Sequence, residues 1–131
     1  MDDNLILVVD DDPCCRNTLE AVLRRFGFSV ICATNGVEGL HLAVAHQPKL
    51  ILMDVVMPEM DGYTATQAIH AHPFMTNTPV MAVSANSDLA QRFRAFEAGM
   101  IGFIPKPWEV SEIKCVLEKL WHITLPELRA A

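Results

Sequence analysis

Short, almost wholly apolar runs alternate along this chain with longer stretches whose apolar residues recur every three to four positions. The runs are Ile6 to Val9, Ser29 to Ala33, Leu50 to Met53, Val80 to Ser84 and Gly102 to Pro105. Each has the length of a strand. The third and fourth lack polar alternation, as expected of strands covered on both faces. Between the runs, Leu19, Val22, Leu23 and Phe26 recur at i, i+3, i+4 and i+7. Val37, Leu40 and Val44 have helical spacing, as do Leu89, Phe93 and Phe96. The stretch from Tyr63 to Ala71 is patterned less cleanly. After the last run, Val110, Ile113, Val116, Leu117 and Leu120 share one helical face. The order is strand then helix, five times over. It predicts a doubly wound α/β fold, (βα)5, with a parallel five-stranded sheet, helices on both faces and right-handed crossovers.

Punctuation agrees with these boundaries. Asp12-Pro13 reads as a helix N-cap followed by proline in the first turn. Gly27 and Gly99 stand where helices should stop, and Asp61-Gly62 marks a turn before the third helix. The 131 residues, 51% of them hydrophobic, suit one domain over residues 1–122. Residues 123–131 form a short tail that either frays or docks through Leu125 and Leu128, with no output domain expected.

Charge removes some functions. The net charge is −6 with no long basic run, so direct nucleic-acid binding is not expected. No apolar stretch approaches the roughly 20 residues that span a bilayer. The start, Met1-Asp2-Asp3-Asn4, lacks the layout of a signal peptide, which points to the cytoplasm and away from a membrane. The cysteines fit that compartment: Cys32 and Cys115 read as buried small apolar residues, and Cys14-Cys15 form no disulfide or zinc pattern. His70 and His72 read as solvated residues near a helix end.

Several strands stop on polar residues. Asp10, Asp11 and Asp12 follow the first, and Asp54 follows the third. In open parallel sheets the carboxyl edge is where ligands bind. At about 4 Å and an effective dielectric of about 20, each carboxylate pair there costs about 4 kcal/mol. A hard divalent cation between them relieves that cost, so a Mg²⁺-type site is expected. Ser84 ends the fourth strand, and Lys106 follows the fifth.

In the segments Val8-Val9-Asp10-Asp11-Asp12-Pro13, Met53 to Gly62, Ser84-Ala85 and Lys106-Pro107, the chain resembles the receiver domain of two-component response regulators, which has a flavodoxin-like fold. The match covers roughly Leu5 to Leu120. The resemblance implies a strand order of 2-1-3-4-5 and a phosphoacceptor switch in a phosphorelay, not an ordinary enzyme. Asp54 would accept a phosphoryl group from a phosphohistidine donor. Asp10, Asp11, Asp54 and the Val56 backbone carbonyl would hold Mg²⁺ or Mn²⁺. Lys106 would contact the phosphoryl oxygens, with a cis Lys106–Pro107 bond. Ser84 would donate its hydroxyl, and Phe103 would be the switch aromatic. Its rival role is that of a core phenylalanine. Lacking a hydroxyl, Phe103 would signal through packing alone. Val56 and Asn86 occupy positions that tune phosphoryl lifetime. Asp12 is better read as a helix cap.

The resemblance also implies partners. A histidine kinase or histidine phosphotransfer protein would be the donor. An unknown downstream protein would read the fourth helix, fifth strand and fifth helix. The protein would be a monomer or a phosphorylation-dependent dimer. Three rivals stay open: a receiver-fold scaffold that works without phosphorylation, a flavin carrier on the same fold, and a haloacid-dehalogenase-type phosphatase, whose nucleophile motif Asp10-x-Asp12 superficially fits.

Overall fold

The computed structural model describes residues 3–128. Five strands and five helices alternate: β1 (Leu5–Val9), α1 (Pro13–Arg25), β2 (Ser29–Ala33), α2 (Gly36–His46), β3 (Leu50–Met53), α3 (Gly62–His70), β4 (Val80–Ser84), α4 (Leu89–Glu97), β5 (Gly102–Pro105) and α5 (Val110–Trp121). A 3-10 turn, Pro73–Met75, sits between α3 and β4. All neighbouring strands are parallel, in the order β2-β1-β3-β4-β5. Pro105 lies on the edge strand β5, where a missing N–H is tolerated.

The sheet divides the core in two because successive side chains alternate between faces. Leu7, Val9, Ile51, Met53, Val80 and Ala82 pack with Ala43, Ala65, Ile69 and Ala95, residues of α2, α3 and α4. Ile6, Val8, Leu50, Leu52, Met81 and Val83 pack with Leu19 and Leu23 of α1 and Ile113 and Leu117 of α5. Leu125 is buried and Leu128 packs against this second core, while the Leu125 N–H donates to Glu118 Oε2 at 2.8 Å. The tail therefore docks as far as Leu128. Its last three residues, 129–131, lie outside the described residues, as do Met1 and Asp2 of the acidic start.

Helix ends follow their side chains. Asp12, Asn35, Asp61 and Asp88 each accept a backbone N–H in the first turn of the helix they cap. Gly27 and Gly99 adopt φ of 96° and 95° just past α1 and α4, a region that favours glycine. Asp61→Ala is expected to lower stability by about 1 kcal/mol, the usual worth of such a cap. Urea denaturation of the variant checks this.

The spacing marks α2 and α4 correctly as helices but not the residues they bury, and the readings of Cys115 and of the two histidines need correction. The buried residues of α2 are Gly36, Gly39 and Ala43, not the face of Val37, Leu40 and Val44. A Cβ on Gly39 would lie 2.9 Å from Val9 Cγ2, so the helix approaches the sheet through its smallest residues. On α4, Leu89, Phe93 and Phe96 are 82%, 62% and 77% exposed, and Ala95 supplies the buried contact. Cys115 is exposed on α5. His70 is half-buried with Nε2 2.8 Å from the Thr78 carbonyl, and His72 is half-buried too. Among the described residues, no helix is long and apolar enough to cross a membrane.

Candidate functional site

Register brings the acids together. Val9 of β1 pairs with Met53 of β3, so the next residue on each strand, Asp10 and Asp54, reaches the same sheet edge. The Asp54 N–H donates to the Val9 carbonyl at 2.9 Å, and the Asp10 N–H to the Ala33 carbonyl at 3.1 Å. Asp10 and Asp54 are only 5% and 7% exposed, whereas Asp11 is open to solvent. One carboxylate oxygen from each of Asp10, Asp11 and Asp54 lies within 4.8 Å of the other two.

Lys106 reaches the same point from β5. Its N–H donates to the Ser84 carbonyl at 2.9 Å, and the Lys106–Pro107 peptide bond is cis. Its Nζ lies 2.8 Å from Asp10 Oδ2 and 3.4 Å from Asp54 Oδ2. Asp10 is thus fully engaged, because its Oδ1 also accepts from the Asp12 N–H at 2.9 Å. The contacts of Asp54 are long: 3.4 Å to Lys106 and 3.3 Å from the Val56 N–H to Oδ1. Of the two buried carboxylates, Asp54 has the less committed oxygens.

Electrostatics set Asp54 apart. Burial pushes its pKa up to about 6; Lys106 and the Val56 N–H oppose the rise, and Asp10 adds to it. Burial also disfavours the Lys106 ammonium, but its hydrogen bond to Asp10 and the charge of Asp54 outweigh this and raise its pKa. One ammonium therefore serves a cluster of three carboxylates. Three hard oxygen donors around an excess of negative charge fit a small divalent cation. Asp12 stands apart as the cap of α1. Its carboxyl accepts from the Cys15 thiol at 3.3 Å and the Cys14 N–H at 2.9 Å, contacts that hold its pKa down. The Asp10-x-Asp12 pattern thus spends its second acid on a helix end.

The remaining predicted residues lie on β4, on β5 and in the loops after β3 and β4. Ser84 is buried at the end of β4, and its Oγ accepts from the Asn86 N–H at 3.3 Å. Asn86 Oδ1 in turn accepts from the Asp88 N–H at 3.4 Å. Phe103 is half-buried against the core on the α4 side of the sheet. Val56 is 67% exposed, with an apolar side chain. Gly62 has a role that the sequence did not suggest beyond a turn: a Cβ there would collide with the Asp54 carbonyl, so only a glycine lets α3 start this close to the end of β3. Arg16 was also missed. Its Nη1 donates to the Asp10 carbonyl at 2.8 Å, one turn into α1, and an arginine just after an acidic strand end is the signal that could have found it.

Comparison with known proteins agrees with this fold. Residues 6–118 match the family model described as the response regulator receiver domain. The regulatory protein AtoC of Escherichia coli (strain K12) is 34% identical over 116 residues, or 88% of this chain and 25% of AtoC. The receiver domain of sensor histidine kinase PA1611 from Pseudomonas aeruginosa PAO1, with a magnesium ion coordinated in its active site cleft, has a TM-score of 0.85 at 31% identity, covering 92% of this chain and 98% of that one. Chemotaxis protein CheY4 of Vibrio cholerae shares the fold, with a TM-score of 0.84 at 24% identity over 88% of this chain and 97% of its own. Among the curated regulators, AtoC and the probable C4-dicarboxylate response regulator DctR of Priestia megaterium, this chain spans 25% and 50% of the full length.

Proposed function

The chain belongs to the response regulator receiver domain family, and on that premise we propose that Asp54 is its phosphoacceptor and the α4-β5-α5 face its output. The observation that carries the assignment is the state of Asp54: buried, loosely bonded, and held between two other acids and one ammonium. Receiver domains are signalling switches that interact with histidine kinases or histidine phosphotransfer proteins, and we take one of these as the donor. The cytoplasm is the compartment that suits such a donor.

In the transfer step an Asp54 Oδ forms a bond to phosphorus as the phosphohistidine P–N bond breaks, and the imidazole leaves as neutral histidine once protonated. Asp54 must be ionised to attack, so its raised pKa makes the metal-free protein a poor acceptor below about pH 6. Asp10, Asp11, Asp54 and the Val56 carbonyl would hold Mg²⁺ or Mn²⁺. The bound ion would neutralise the acids and the charge on the transferring phosphoryl oxygens. Lys106, a compact point charge already within 3.4 Å of Asp54, supports the new phosphoryl oxygens from the β5 side. The Ser84 hydroxyl supplies a further donor once it turns away from the Asn86 N–H. An apolar Val56 cannot orient an attacking water, while the Asn86 amide is of a type that could hydrogen-bond near one.

The family's signal is a population shift between two surface states. Phe103 would take part through its packing. Mg²⁺ is expected to stabilise the folded protein by about 2.7 kcal/mol at a hundredfold excess over Kd. Thermal melts across a Mg²⁺ titration test this, and an unchanged Tm at saturation would count against the site.

A further inference from the structure

α4 is attached to the domain in an unusual way. Its large apolar residues face solvent, and polar and cationic side chains hold it beside the small buried contact of Ala95. Tyr63 Oη of α3 donates to Gln91 Oε1 at 2.6 Å, and the Arg94 guanidinium lies 4.5 Å over the Tyr63 ring. Arg92 makes a second pair of contacts. Its Nε donates to the Ser87 carbonyl at 2.9 Å, and its guanidinium lies 5.3 Å over the Phe103 ring. One side chain therefore touches both the β4–α4 loop and the aromatic of β5.

We propose that Arg92 is a positioning residue that latches the resting state of the switch, holding the Ser87 carbonyl and the Phe103 ring together until Asp54 is phosphorylated. The inference rests on the phosphoacceptor reading of Asp54. Ser84 Oγ now serves the Asn86 N–H. When the Ser84 hydroxyl turns toward a phosphoryl group, its Oγ leaves the Asn86 N–H, and the loop from 85 to 88 loses that tie and is freer to shift. Ser87 lies in that loop, so its bond to Arg92 resists the shift. Any movement of Phe103 resists in the same way, because the ring would leave the guanidinium. An exposed cation–π contact of this kind biases a two-state equilibrium by about two- to fivefold. The latch also explains why a phenylalanine can serve here: the ring needs only its face to be read by a cation.

The test is fluoroberyllate binding, measured by calorimetry in saturating Mg²⁺. The proteins are the wild type, Arg92→Met, Arg92→Lys, Phe103→Leu and the double variant Arg92→Met/Phe103→Leu. Arg92 is exposed, so its replacement opens no core. The latch predicts binding about two- to fivefold tighter in Arg92→Met, within about twofold of wild type in Arg92→Lys, and little effect of Arg92→Met once Phe103 is leucine. General structural damage would weaken binding instead. Equal or weaker binding in Arg92→Met, or the same gain in the Phe103→Leu background, would overturn the latch and leave Asp54 as acceptor. No binding by the wild type would overturn the acceptor reading and the latch with it.

Discussion

Metal-free protein carrying Asp54→Asn is expected to be more stable than the wild type at pH 7, by up to about 3 kcal/mol. The cause is the raised pKa of Asp54, about 6 against an ordinary 3.8, which comes first from burial and is worth about 1.4 kcal/mol per unit. Between those two values the folded protein holds a proton that the unfolded chain has released. Stability therefore falls as pH rises through that window and levels off above about 6. Asparagine resembles the protonated acid and cannot ionise, so this fall should disappear from the variant. Mg²⁺ should narrow or close the gap, because the variant has lost one of the carboxylates that would hold the ion. Urea denaturation at several pH values between 4 and 7.5, with and without Mg²⁺, checks both claims. A variant less stable than wild type without metal, or one with an unchanged pH slope, would contradict them.

The opposite change should have the opposite sign. Lys106→Met is expected to cost the metal-free protein about 3–5 kcal/mol at neutral pH, the usual penalty for removing one partner of a buried ion pair. Lys106 sits 2.8 Å from Asp10 and 3.4 Å from Asp54, and both acids are buried. Without the ammonium their repulsion is uncompensated. The pKa of Asp54 should rise further, since Lys106 is the charge that now opposes the rise. Two conditions should restore part of the loss: acidification, which protonates Asp54, and Mg²⁺, which replaces the missing positive charge. Denaturation midpoints under the three conditions measure this. A loss below about 1 kcal/mol, the range of an exposed pair, would mean that Lys106 does not neutralise the site.

The strands and the site were legible in the sequence for the same reason. A run of four or five apolar residues that stops on a carboxylate defines both a buried strand and the place where its charge emerges. Asp10, Asp54, Ser84 and Lys106 can therefore be placed at one edge from the sequence. The helix faces were less legible. Periodicity counts large residues, but α2 meets the sheet through Gly36, Gly39 and Ala43, where closeness matters more than area. On α4 the aromatic residues point outward because Tyr63, Arg92 and Arg94 do the anchoring. Which side chain lies over which ring depends on the spacing of α4 from β5 and α3, and no local pattern records it. Arg16 is a partial case: an arginine soon after an acidic strand end is a signal, but its partner, the Asp10 backbone carbonyl, is not one that residue types identify.

The most direct test of the central claim is the intact mass of the protein after brief incubation with acetyl phosphate and Mg²⁺, beside Asp54→Asn. The phosphoacceptor account predicts one added phosphoryl group on the wild type, none without Mg²⁺ and none on the variant. A phosphoryl group retained by Asp54→Asn would contradict it.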